Sequence, residues 1–177
     1  EDMRCFCAAK KTPGKVAIVT GGGTGHLPLF LGYVGDGLLD GCGVGGVFQS
    51  PSSEQIFEIS KAVEAGAGIL YLYGNYTGDI MNFDMAAELC EMEGIETKSI
   101  VGADDVLSGA PEVRRGVAGI FFMAATSIWR MRSALTPYSA ASSCSVMPPE
   151  PSSFTFSQRS VTMRRLRSSR LFSAVAM

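Results

Sequence analysis

The chain has 177 residues, 46% of them hydrophobic, and a formal net charge of −2 at pH 7, which suits one domain with a proper core. No run of about 18 uninterrupted apolar residues occurs, so no helical membrane span is expected. The charge averages two unlike segments: residues 1–122 carry eight basic and sixteen acidic groups, and residues 123–177 carry seven arginines and one glutamate.

In chain order, Cys5-Phe6-Cys7 comes first and offers two potential metal ligands, with no second pair to complete a set. The five cysteines (Cys5, Cys7, Cys42, Cys90 and Cys144) are odd in number and lack framework spacing, which points to reduced thiols and a cytoplasmic location. Residues 15–20 (Lys-Val-Ala-Ile-Val-Thr) have the continuous apolar character of a strand covered on both faces. That strand runs into Gly21-Gly22-Gly23-Thr24-Gly25-His26, a glycine loop delivering the chain's only histidine. Glycines let backbone amides approach a bound molecule closely, and an imidazole beside them titrates near neutral pH. Two familiar phosphate loops are excluded. The nucleotide-hydrolase loop needs Gly-Lys-Ser/Thr, where Gly25 is followed by His26 and Leu27. The dinucleotide fingerprint needs glycines spaced one and then two residues apart, which His26 breaks.

Residues 27–31 read as a short helical start, and the glycine-rich stretch 32–46 reads as irregular. Ser52 opens a helix with capping-box spacing to Gln55, and Gly66 stops it. Residues 68–73 form a second buried strand, followed by the loop Gly74-Asn75-Tyr76-Thr77-Gly78-Asp79 and a helix over 80–93. An N-cap on that helix is the lesser reading of Asp79, and it does not exclude a role in chemistry. A third strand over 96–101 ends at Asp104 and Asp105, a pair that reads as a solvated loop or as magnesium ligands. Alternating strands and helices predict an α/β fold, a mostly parallel sheet of βαβ units. Ligands bind such sheets beyond the carboxyl ends of the strands, where His26, Asn75, Asp79, Asp104 and Asp105 all fall.

The composition then changes abruptly. All 21 glycines lie at or before Gly119, all five lysines at or before Lys98, and all seven aspartates at or before Asp105, while residues 123–177 contain thirteen serines. No apolar period of 2 or 3.6 persists in this Arg/Ser-rich tail. Residues 1–122 are therefore expected to be the folded domain. Residues 123–177 are expected to be a disordered or frame-shifted tail, in preference to a nucleic-acid-binding one. A start at Glu1 rather than methionine makes the chain read as a fragment.

With those loops in place, the chain resembles the substrate-binding (K) subunit or domain of dihydroxyacetone kinases. The resemblance rests on Gly21-Gly22-Gly23-Thr24-Gly25-His26-Leu27-Pro28, Gly32-Tyr33-Val34-Gly35, Phe48-Gln49-Ser50-Pro51, Asn75-Tyr76-Thr77-Gly78-Asp79, Met81-Asn82-Phe83 and Arg114-Arg115-Gly116-Val117-Ala118-Gly119. These occur in family order over residues 14–122. It implies the first domain of a two-domain subunit that holds dihydroxyacetone or a related short ketose for phosphorylation, with His26 and Asp79 as its acid–base pair. Gly22, Gly23, Thr24, Gly25 and Asn75 are the implied substrate contacts, and no metal is held by the chain itself. ATP or ADP with magnesium would sit on a separate nucleotide-binding domain or subunit. The full-length form would be a homodimer, with neither nucleic acid nor membrane as a partner. A phosphotransferase-system donor and a non-catalytic ketose-binding or regulatory role are the alternatives.

Two departures stand out. The best-known members carry a lysine where this chain has Gly74, which suggests a different ketose such as erythrulose, and predicts that Gly74→Lys shifts ketose preference. The family also anchors its substrate as a covalent hemiaminal on a second-domain histidine, and this chain's one histidine is His26. The chain as given is therefore expected to be inactive in transfer.

Overall fold

The computed structural model describes residues 4–27, 30–107 and 109–122, together with the backbone of Met163–Arg165. The strands are β1 (Cys5–Ala8), β2 (Ala17–Gly22), β3 (Gly41–Val44), β4 (Ile69–Gly74), β5 (Thr97–Gly102) and β6 (Met163–Arg165), with helices α1 (Ser53–Val63) and α2 (Thr77–Met92). They form one sheet in the order β5-β4-β2-β3-β1-β6. The β5, β4, β2 and β3 strands are mutually parallel, whereas β1 pairs antiparallel with β3 and with β6. The α/β class is as expected, but the three-strand reading missed β1, β3 and β6. Apart from the backbone of β6, the expectation for residues 123–177 lies outside the described residues. Among the described residues, no helix is long and apolar enough to cross a membrane.

Alternation along the strands divides the core into two layers. Val19, Tyr71 and Tyr73 face α1 and α2, packing with Ile56, Ile59, Phe83 and Ala86. Ile18, Leu72 and Val44 face the other way, against Phe30, Val34, Leu39 and Ile120. The connection from β2 to β3 thus covers one face and the connections through α1 and α2 cover the other. Because β2 and β4 are neighbours, their outgoing chains diverge to opposite faces, which opens a crevice at their carboxyl ends.

Local chemistry fixes both helices. The capping box forms as predicted: Gln55 N donates to Ser52 Oγ at 3.2 Å, and Ser52 N donates to Gln55 Oε1 at 2.9 Å. Ser52→Ala is expected to cost about 1 kcal/mol of stability, measurable as a lower melting temperature. Helix α1 is tied to β4 by Ser60 Oγ, which lies 2.8 Å from Tyr71 Oη while donating to Ile56 O at 2.8 Å. Helix α2 is fastened by Phe83, whose ring stacks on Tyr73 at 4.2 Å and meets Tyr71 edge-on at 5.1 Å. All three rings are fully buried.

The thiols of Cys5, Cys7, Cys42 and Cys90 lie in this core. Burial, with Cys7 nearby, pushes the Cys5 thiol up to about 12, a value at which it stays protonated and unreactive. Among the described residues, no group of three or more His, Cys, Asp or Glu side chains gathers as a metal set.

Candidate functional site

The crevice is a cleft of about 920 Å³ at the carboxyl edge of the sheet. Gly23, Gly25 and His26 reach it from the loop after β2, and Phe48, Gln49 and Ser50 from the loop after β3. Tyr76, Thr77, Gly78, Asp79 and Asn82 come from the start of α2, and Arg115 from the chain beyond β5. Four segments well separated in sequence therefore meet where strand order alone predicts a ligand.

His26 ends a single 3₁₀ turn, Thr24–His26. Its ring centroid lies 5.6 Å from that of Phe30 and 5.6 Å from that of Tyr76, edge-on to the latter. Two aromatic neighbours thus pack against the imidazole. Asp79 sits in the first turn of α2, but it is not the N-cap. That position belongs to Tyr76, which makes no side-chain capping bond. The Asp79 side chain is buried, and its Oδ1 finds no hydrogen-bond partner among the described residues. Burial pushes its carboxyl above the usual range, while a hydrogen bond from Ser50 and the nearby His26 pull it back down. A buried carboxylate oxygen without a donor is costly, and such sites are where functional groups concentrate.

The structure brings His26 and Asp79 together with Gly23 and Gly25, and places the other predicted contacts differently. Gly22 is still in β2, paired with Val44, and a Cβ there would strike the Phe30 ring. Its lack of a side chain serves packing beneath the crevice, and the loop proper begins at Gly23. Thr24 turns away: its N and Oγ1 both donate to Gly46 O, at 3.0 and 3.1 Å. Asn75 lies outside the cleft lining, and its Nδ2 donates to Arg114 O at 2.7 Å.

Asp104 is likewise a loop organiser. It accepts from Val117 N at 2.9 Å, and such backbone donors hold its carboxyl below the usual range. Asp105 accepts from Leu107 N at 3.1 Å. Neither aspartate lines the cleft.

Gly74 is packed under Ile120 and Tyr76, so a Cβ there would lie 2.8 Å from Ile120 Cδ1 and 2.9 Å from Tyr76 Cε2. Gly74→Lys is accordingly expected to destabilise the fold by about 1–3 kcal/mol. A lowered melting temperature would accompany any change in ketose preference.

Several cleft residues were not singled out from sequence as contacts. Arg115 and Tyr76 are the most informative. The Arg115 guanidinium lies 5.3 Å from the Tyr76 ring centroid, on the same ring that His26 touches. Asn82 is a brace, with Nδ2 donating to Pro51 O at 2.8 Å. At the rim, Phe48 is fully exposed, and its φ of 52° is the one positive value at a non-glycine residue among those described. Their only sequence signal was membership in the motifs that carry the family resemblance.

Residues 1–128 match the Dak1 domain. The dihydroxyacetone-binding subunit DhaK of a PTS-dependent dihydroxyacetone kinase 2 from Listeria innocua is 51% identical over 116 residues, covering 64% of this chain and 35% of that protein. A D-erythrulose kinase from Mycolicibacterium smegmatis is 48% identical over 112 residues, covering 62% of this chain and 19% of that protein. Among solved structures, the dihydroxyacetone kinase from C. freundii in complex with AMP-PNP and Mg2+ superposes with a TM-score of 0.64 at 30% identity, covering 75% of this chain and 27% of that one. A dihydroxyacetone kinase operon co-activator, DhaQ, superposes with a TM-score of 0.59 at 33% identity, over 63% of this chain and 35% of its own. The chain thus spans about a third or less of the length of these relatives. It belongs to the Dak1 domain family.

Proposed function

We propose that the cleft binds a short ketose, dihydroxyacetone or a four-carbon erythrulose, and presents its terminal hydroxyl for phosphorylation. The observation that carries this reading is the meeting of His26 with a buried Asp79 whose Oδ1 finds no donor among the described residues. A sugar hydroxyl supplies such a donor. As the hydroxyl oxygen bonds to phosphorus, its proton passes to the Asp79–His26 pair and the bond from phosphorus to the donor's bridging oxygen breaks. With ATP as donor the leaving group is ADP, and the nucleotide and its magnesium are brought by a separate domain or subunit. That body carries the metal's neutralisation of phosphate charge, and this chain's residues bind, orient and move the proton. Names of the relatives support both ketoses and a PTS donor, since they include PTS-dependent dihydroxyacetone kinases and a D-erythrulose kinase, and the C. freundii kinase structure in complex with AMP-PNP and Mg2+ supports a nucleotide donor.

Because His26 is the only histidine, these 177 residues offer no second imidazole for a covalent hemiaminal, and the ketose would be held by hydrogen bonds alone. Loss of that anchor removes binding energy and orientation. The chain by itself is therefore expected to bind ketose weakly and to show negligible transfer. Saturation-transfer NMR of dihydroxyacetone and erythrulose on the full chain tests the reading. Both should contact the protein, and the contact should fall at least about tenfold in Asp79→Ala, a change that leaves the core intact. An undiminished contact in folded Asp79→Ala would overturn the assignment. The similarity to an operon co-activator favours a second reading, a ketose-binding regulatory module. It shares the binding step and lacks the transfer step, so turnover of a two-domain subunit containing this domain, with a nucleotide-binding subunit, separates the two.

A further inference from the structure

Arg115 is the only lysine or arginine among the described residues that line the cleft, and the chemistry proposed above leaves it without a role. Its position is built. The segment carrying it is fastened on both sides: Asn75 Nδ2 donates to Arg114 O, Asp105 N donates to Arg115 O at 2.9 Å, and Tyr76 Oη donates to Gly116 O at 3.1 Å. Val117 N is held by Asp104. The guanidinium rests against the Tyr76 ring, which His26 meets edge-on. Thr77 and Gly78, which open α2, line the same cleft, so the positive end of a 16-residue helix faces the same space. Nothing in the binding of a neutral ketose calls for a fixed cation, whereas a planar fork suits the oxygens of a phosphate.

We propose that Arg115 is the phosphoryl-facing residue of the cleft, binding the phosphate of the phosphorylated ketose and, before it, the phosphoryl group arriving from the donor. The proposal rests on the ketose reading. The proton that leaves the hydroxyl neutralises the Asp79–His26 pair as the new phosphate ester forms, so the ester meets Arg115 without an opposing carboxylate charge. Negative charge spread over the transferring oxygens is what such a cation stabilises.

The test is titration of the full chain with dihydroxyacetone, dihydroxyacetone phosphate and inorganic phosphate, using wild type, Arg115→Gln, Arg115→Lys and Arg114→Gln. Arg115→Gln should weaken dihydroxyacetone phosphate at least about tenfold and leave dihydroxyacetone within about twofold. Arg115→Lys should fall between wild type and Arg115→Gln, because it keeps the charge and loses the fork. Arg114→Gln, which removes the same charge outside the cleft, should leave the ester unaffected. Equal losses for ester and neutral ketose would mean that Arg115 props the loop, and would overturn the proposal. Unchanged ester affinity in both Arg115 variants would do the same. If the ester binds through Arg115 and the neutral ketose binds to no variant, the phosphate site stands and the ketose reading falls. Wild type that takes up neither ester nor ketose would end both.

Discussion

Asp79→Asn should make the protein more stable and less able to act. At neutral pH the wild-type carboxylate is buried with an oxygen that finds no donor among the described residues, and its pKa is raised by burial. A carboxyl whose folded pKa exceeds its unfolded value costs stability once both states are ionised. That cost is absent below the unfolded pKa, grows as pH rises through the folded one, and is constant above it. Removing the charge is therefore expected to stabilise the fold by about 1 kcal/mol at pH 7 and by nothing at strongly acidic pH. Thermal melts of both proteins across that range check the sign. In a two-domain subunit that contains this domain, transfer supported by a nucleotide-binding subunit should meanwhile fall by about 10²–10⁴-fold, the usual cost of losing a positioned acid–base group. A melting temperature that drops at pH 7 with turnover preserved would make Asp79 a structural residue.

Phe83→Ala is expected to have the largest effect on stability, about 3–5 kcal/mol. The ring is fully buried and contacts Tyr71 and Tyr73, so its removal leaves a cavity between β4 and α2 that the stacked tyrosines cannot close without tilting. The consequence reaches the cleft. Phe83 lies one helical turn after Asp79 on the same face of α2, and the two are buried together. Denaturant unfolding should show a lower midpoint at an unchanged slope, and ketose contact should weaken even under conditions where the variant remains folded. Phe83→Leu, which refills most of the volume, should recover much of both losses.

The parts of the fold written in strong periodic or capping signals were legible from sequence. Ser52 and Gln55 declared the start of α1, and the apolar runs around Val19 and Tyr71 declared two central strands covered on both faces. Strand β3 was not legible. Gly-Cys-Gly-Val is too short and too rich in glycine to announce a strand, Val44 being its one β-branched residue, and its glycines are there because Ile59, Val63 and Pro51 lie directly over them. That demand is tertiary and invisible along the chain. The same holds for Gly22, whose missing side chain makes room for Phe30 rather than for a ligand. For the site, a lone histidine after glycines and a carboxylate after a strand were readable as chemistry. Asn75, Thr24 and Asp104 carry the same polar groups yet spend them on backbone partners, a distinction that only the folded loops can make. Arg115 stayed hidden because charge in a loop reads as solvent-facing until the loop is seen folded over the cleft.

The central claim is that His26 and Asp79 form a ketose site, and the chain's single histidine provides its own reporter. With the imidazole isotopically labelled, His26 supplies the only histidine ring signals in the spectrum. Addition of dihydroxyacetone should shift them saturably in wild type and much more weakly in Asp79→Asn, whereas a polyol without a carbonyl, at the same concentration, serves as the comparison for solvent effects. Ring signals that ketose leaves unmoved, in a protein that still melts cooperatively, would contradict the account.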